Sequence, residues 1–244
     1  MPSIAVIQFR NACRALKEQE ALQTAIGDRA SLSFFDTYTT VHERELNPDL
    51  LTRFDAVVFG GSGDLFIDGG CHTSPTSRQL TDSSIARVEK LTQSIIAQDF
   101  PAFGICFGHQ VMAHHLGGTV RHCADEGKFG TVTLTKTLEG ESDPVLENVP
   151  KTFSGNYAHH DVVKKLPERA CGVVLASAPN CCHALVRYGS RVYTSQFHPE
   201  LTRAHMLERI TAHPGYIPAG VDPIAVVQET PYTASILKNF VCML

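Results

Sequence analysis

The sequence predicts an α/β fold built on an open, mostly parallel sheet with flanking helices and additional antiparallel strands. Three observations predict it. Short apolar, β-branched runs alternate with segments of helical period through the first half of the chain. Around Gly104-Ile105-Cys106-Phe107-Gly108 an apolar run breaks off at an abrupt turn and passes straight into a helical pattern. Beyond Gly118, strand-like runs follow one another without a long helix between them, so the second half adds antiparallel β structure to the same unit.

Taken in order, residues 3–9 (S-I-A-V-I-Q-F) read as a buried strand. Residues 12–26 carry Ala15, Leu16, Ala21, Leu22 and Ile26 near helical spacing, and Gly27 stops them. A second strand is expected over 31–38 and a third over 55–59, where D-A-V-V-F runs into Gly60-Gly61-Ser62-Gly63-Asp64. That glycine loop has neither the G-K-[ST] ending of a phosphate loop nor the G-x-G-x-x-G of a dinucleotide fold, and reads as a tight turn. Residues 64–78 look irregular and long enough to border a site as a lid. Thr81 or Asp82 is expected to cap the next helix, whose apolar face is Ile85, Val88, Leu91, Ile95 and Ile96.

The run Pro101 to Ile105 is the strand that leads to Cys106, and the helix after it closes at Gly117-Gly118. Strands follow at 119–123, 128–137, 170–177, 182–188 and 192–197, the last two joined by a hairpin turn at Gly189-Ser190. Helices are expected at 202–211 and 233–244, with a Pro/Gly-rich loop over 213–223. No repeat or charged linker marks a boundary, so residues 1–244 read as one domain, with a motif-bearing core at about 4–200 and a closing segment at 201–244.

Hydrophobic content of 43% and charged content of 19% are ordinary globular values. A net charge of −4 gives no reason to expect a nucleic acid or an anionic membrane as partner. No apolar run approaches the ~18 residues of a membrane span, and Met1-Pro2-Ser3 enters a strand without a basic, then apolar leader. The eight cysteines are scattered rather than spaced as a disulfide framework, which points to a cytoplasmic protein with reduced thiols. The histidine-rich places, His114-His115, His122-Cys123 and Cys181-Cys182-His183, are sequence neighbours that point apart, not the spacings of a zinc site; no metal and no cofactor are expected.

The G-x-C-x-G turn has the geometry of a nucleophile elbow: small residues flank a strained position where a Cβ would clash. A side chain at its apex stands above the carboxyl end of a strand, where open α/β sheets bind ligands. It also stands at a helix N-terminus, where unpaired N–H groups favour thiolate over thiol. A cysteine nucleophile needs a base and a group to orient that base, and Ser195-Gln196-Phe197-His198-Pro199-Glu200 contains both.

Together, G-I-C-F-G-H-Q and S-Q-F-H-P-E resemble the class I (triad) glutamine amidotransferases, whose fold is flavodoxin-like. Within that family, Lys128-Phe129-Gly130 and residues 159–162 look most like the glutaminase domain of GMP synthase. The resemblance implies Cys106 as nucleophile, His198 as base and Glu200 as its orienting carboxylate. It implies backbone N–H groups of Gly61 and Phe107 as the oxyanion hole. Gln110, one helical turn beyond Cys106, would contact substrate, as would His160 and Asp161 in Tyr157-Ala158-His159-His160-Asp161. Ala158 stands where the family has serine or asparagine, and His160 where glycine is common, so the selectivity for free glutamine is the part of the pattern that departs.

The expected activity is hydrolysis of the side-chain amide of glutamine through a glutamyl thioester, with ammonia passing to a synthase on a separate chain or another acceptor. No S-G-G-x-D-S nucleotide-activating loop appears, which suggests a stand-alone chain. Two alternatives remain at this point: a self-sufficient γ-glutamyl hydrolase or peptidase, and an amidotransferase-shaped binding protein without turnover.

Overall fold

The computed structural model describes residues 1–68, 74–123, 128–212, 217 and 220–244. Strands β1 (Ser3–Gln8), β2 (Ser31–Asp36), β3 (Ala56–Phe59), β4 (Ala102–Ile105) and β11 (Val192–Ser195) pair in parallel in the order β2-β1-β3-β4-β11. The sheet then continues antiparallel through β10 (Cys181–Tyr188), β9 (Val173–Ala178), β6 (Lys128–Lys136) and β7 (Thr152–His159), making nine strands. A separate antiparallel pair joins β5 (Thr119–His122) to β8 (Asp161–Lys165).

Strands β1, β3 and β4 are largely apolar and buried on both faces, as the continuous apolar runs predict, whereas β2 at the sheet edge is partly exposed. In β1, Ile4 and Val6 pack with Leu22 and Ile26 of helix α1 (Ala12–Ile26) and with Phe240 of the C-terminal helix Thr233–Cys242. The alternate residues Ala5 and Ile7 face Leu91 and Ile95 on the opposite side. Asn11 caps α1 by accepting the Arg14 N–H, and Gly27 ends it at φ 62°.

The predicted single helix after the long loop is two helices. α2 (Pro75–Ala86) and α3 (Glu89–Ala97) are separated by Arg87 and Val88. The cap of α2 is Ser74, which accepts the Ser77 N–H, with Pro75 in the first turn. Thr81 lies inside α2, donates to the Ser77 carbonyl and accepts the Phe66 N–H, so the expected cap at Thr81 or Asp82 does not form. Two strands, β7 and β8, occur where none was expected. Helix α4 (Phe107–His115) follows the elbow, short helices α5 (Leu138–Ser142) and α7 (Pro223–Val226) decorate the antiparallel half, and α6 (Arg203–Ala212) and α8 (Thr233–Cys242) match the closing helices. The proposed lid over 64–78 and the loop over 213–223 lie partly outside the described residues.

Because β1, β3, β4 and β11 run in parallel, their carboxyl ends open on one edge of the sheet. The chain leaves β1 toward β2 on one side and reaches β3 and β4 on the other, which makes β1/β3 the place where strand order reverses. Arg10, Gly60-Gly61, Cys106 and His198 each follow one of these four ends. Among the described residues, no helix is long and apolar enough to cross a membrane.

Candidate active site

Cys106 sits at φ 51°, ψ −96°, a conformation that L-residues rarely adopt, directly before α4. The glycines on either side make this turn possible. A Cβ on Gly108 would lie 2.4 Å from the Phe59 carbonyl oxygen, and one on Gly104 would lie 3.0 Å from the Gly108 carbonyl. The backbone is pinned by the Cys106 N–H donating to the Ser195 carbonyl at 2.7 Å and the Gly108 N–H donating to the Gly60 carbonyl at 3.1 Å. Cys106 is 2% exposed. Its sulfur lies 3.9 Å from the Ala158 carbonyl and accepts from the Gln196 side-chain amide at 3.7 Å.

His198 follows β11 and is held by its own N–H, which donates to the Asn156 carbonyl of β7 at 2.8 Å. Its Nδ1 lies 2.7 Å from Glu200 Oε1, both side chains being buried. Burial works to lower the imidazole's pKa, but the Glu200 carboxylate and the Cys106 sulfur outweigh it and raise it to about 9. Burial works to raise Glu200, but the His198 charge and hydrogen bond, helped by Arg209 at 3.8 Å, hold it down to about 2.

The shifts have opposite consequences for stability. His198, raised from 6.5, contributes fully below that pH and loses its contribution as pH climbs toward about 9. Glu200, lowered from 4.5, contributes above that pH and loses its contribution as pH falls toward about 2. The Tm advantage of the wild type over Glu200→Gln is therefore expected to be greatest between pH 4.5 and 6.5 and to shrink on both sides. Calorimetry across pH checks this; a difference that does not vary with pH would mean the two groups do not form a charged pair.

Gly61 lies beside this group. A Cβ on it would stand 3.0 Å from His198 Cε1 and 3.7 Å from the Cys106 Cβ. Its N–H donates at 3.0 Å to Oε1 of Glu18, a buried residue of α1. The same oxygen accepts from Arg10 Nε at 2.8 Å, and the other carboxylate oxygen accepts from Gln8 at 3.1 Å. Gly60-Gly61 is thus tied through its carbonyl to α4 and through its N–H to α1. Phe107 begins α4, and its ring packs edge-on against Phe9 at 5.1 Å.

Gln110 is buried, and its side-chain amide donates to the Asp161 carbonyl at 2.7 Å and to Gln196 Oε1 at 3.2 Å. Since Gln196 in turn donates to the Cys106 sulfur, the two glutamines form a chain that ends on the thiol. The Asp161 backbone thus belongs to this network, while the side chains of His160 and Asp161 face other neighbours. The Asp161 carboxylate accepts the Asp68 N–H at 3.1 Å and faces His122 Nδ1 at 3.4 Å, and the His160 ring lies 6.3 Å from Phe66 and 6.0 Å from His122. Among the described residues, no group of three or more His, Cys, Asp or Glu is placed to hold a metal ion.

Sequence reasoning assigned no role to Arg10, Glu18 or Gln196. For Gln196 a signal was present: it stands two residues before His198, just past the carboxyl end of β11. Arg10 follows the carboxyl end of β1, which placed it on the ligand edge. Nothing local marks Glu18, whose partners come from other elements.

The model of the class-I glutamine amidotransferases matches residues 59–212, more than half of the chain, and the chain belongs to that family. It is 32% identical over 142 residues to the glutamine-hydrolyzing GMP synthase of Thermosipho melanesiensis, covering 56% of this chain and 26% of that protein. To the same enzyme of Neisseria meningitidis serogroup C it is 35% identical over 103 residues, covering 42% and 19%. The chain therefore spans only about a quarter or less of these relatives' length. The fold is shared with a glutamine amidotransferase of Thermotoga maritima, at TM-score 0.72 and 17% identity over 98% of this chain and 96% of that one. It is also shared with one of Methylobacillus flagellatus, at TM-score 0.64 and 15% identity over 98% and 90%.

Proposed function

We propose that this class-I glutamine amidotransferase domain hydrolyses the side-chain amide of glutamine through Cys106, His198 and Glu200. The observation that carries the reading is the buried His198, which shares the neighbourhood of Gly61 with Cys106 and lies 2.7 Å from Glu200. The sulfur attacks the amide carbon, the C–N bond breaks, and a glutamyl thioester remains. His198 takes the thiol proton and, with its pKa raised to about 9, holds it until it passes to the departing nitrogen, while Glu200 fixes the ring's orientation. Water then hydrolyses the thioester, with His198 taking the water's proton. The ammonia passes to a synthase, as the glutamine-hydrolyzing relatives suggest, or to another acceptor.

The developing oxyanion calls for N–H groups from Gly61 and Phe107. In the conformation described, the Gly61 N–H is donated to Glu18, so that peptide must turn before it can serve. One misdirected donor costs about 10²–10³ in rate. The isolated chain is therefore expected to release ammonia and glutamate from glutamine slowly, yet to be labelled at Cys106 by 6-diazo-5-oxo-L-norleucine. Steady-state turnover measured beside labelling tests this. Absence of both overturns the proposed function, whereas brisk turnover without a partner removes only the restraint by Glu18.

A further inference from the structure

A cavity of about 370 Å³ opens alongside His198, between the first turns of α1, the loop after β3, and α6. It is connected to the thiol by two of its own walls: His198 itself, and Ala158, whose carbonyl is 3.9 Å from the Cys106 sulfur. Departing ammonia does not require such a space. A larger amine would, because the nitrogen that leaves must face the residue that protonates it.

The lining states the chemistry of that amine. Phe129, Leu201 and Met206 supply apolar wall, while Arg10, Arg14, Lys17 and Arg209 supply positive charge. Each cation has a carboxylate partner: Arg10 with Glu18, Arg14 with Asp64, Lys17 with Glu208, and Arg209 with Glu200. Of these four carboxylates only Glu208 lines the cavity. The lining itself therefore carries four cationic side chains and one carboxylate over an apolar floor. Ala158 places a small apolar side chain in the wall between this cavity and the thiol.

We propose that this cavity receives the leaving half of a γ-glutamyl amide, an amine with an apolar body and a carboxylate, so that γ-glutamyl amino acids or short γ-glutamyl peptides are cleaved in preference to glutamine. The inference rests on the Cys106 reading above. The sulfur bonds to the γ-carbonyl carbon as the C–N bond breaks, and the proton on His198 goes to the amine nitrogen. The amine leaves through the cavity. Water then releases glutamate and restores the thiol; nothing is oxidised or reduced.

The test uses two compounds that differ only in the carboxylate: γ-L-glutamyl-L-leucine and γ-L-glutamyl-isoamylamide. With the full chain, kcat/KM for the first is expected to exceed that for the second about tenfold, the worth of one charge-assisted hydrogen bond. It should also exceed that for glutamine. Arg14→Gln with Lys17→Gln should bring the ratio of the two amides close to one, while Glu208→Gln should raise it by about two- to threefold, as removal of an exposed repulsive charge does. Labelling of Cys106 by 6-diazo-5-oxo-L-norleucine is followed in parallel for every variant. Labelling with equal cleavage of the two amides, with glutamine cleaved fastest, or with a ratio unmoved by these substitutions, overturns the carboxylate site and leaves the Cys106 chemistry standing. Loss of labelling together with cleavage of none of the compounds overturns both.

Discussion

Replacing Cys106 by serine is expected to abolish turnover of glutamine and to remove covalent labelling by 6-diazo-5-oxo-L-norleucine. The sulfur is the one atom at the elbow placed to attack, and a serine hydroxyl is a far weaker nucleophile with no thiolate character to draw on. The hydroxyl also fits the same strained turn, so the fold should survive and loss of activity will report chemistry. The choice of reagent matters. Cys13, Cys171, Cys182 and Cys242 are exposed and would react with a general alkylator, whereas Cys106 is buried and is reached by a compound that resembles the substrate. Peptide mapping after labelling should find the adduct at Cys106 alone. An adduct at another cysteine, with Cys106→Ser still active, would remove the elbow from the mechanism.

The second large effect is expected at His198. His198→Ala removes the proposed base, whose Nδ1 bonds Glu200, and general acid–base help is worth about 10²–10⁴-fold in kcat. The loss should be at least of that size. It should exceed the loss in Glu200→Gln, where the amide oxygen still accepts from the imidazole N–H and only the charge is gone. Because Glu200 is a main reason His198 stays protonated to about pH 9, Glu200→Gln should also shift the alkaline limb of the kcat profile to lower pH. Steady-state kinetics from pH 6 to 10 separates the two roles, and small, equal losses in both variants would sink the triad.

The strands and the elbow were legible in the sequence because each rests on a local rule. Apolar β-branched runs mark strands covered on both faces, and a cysteine between flanking glycines marks a turn too tight for side chains. The family was legible for the same reason, in two short motifs. β7 was not. Its middle is Gly155-Asn156, residues poor in strand propensity, and what makes it a strand is pairing with β6 and the seat that Gly155 offers to Leu134 and the Phe197 ring. The Ser74 cap was overlooked although Pro75 announced it. Within the site, the cysteine, histidine and carboxylate could be named from residue type and spacing. Glu18 could not, because its role is set by a carbonyl on one element and an N–H on another. His160 and Asp161 were matched by position in a motif read as acting largely through backbone; the Asp161 carbonyl accepts from Gln110, while the two side chains turn toward Phe66, Asp68 and His122.

The antiparallel half supplies no member of the proposed triad, but one of its bonds bears on how the protein fails when heated. His198 takes its backbone anchor from Asn156 in β7, and β7 is the outermost strand of the nine. On the side away from β6 that single bridge to His198 is its only ladder contact among the described residues, and strands with few pairings open at lower free energy than the interior of a sheet. When β7 peels away, the imidazole loses its footing while the inner parallel strands β1, β3, β4 and β11, buried on both faces, remain intact. Warming should thus disarm the enzyme before it melts it, and cooling from that intermediate range should restore activity in full.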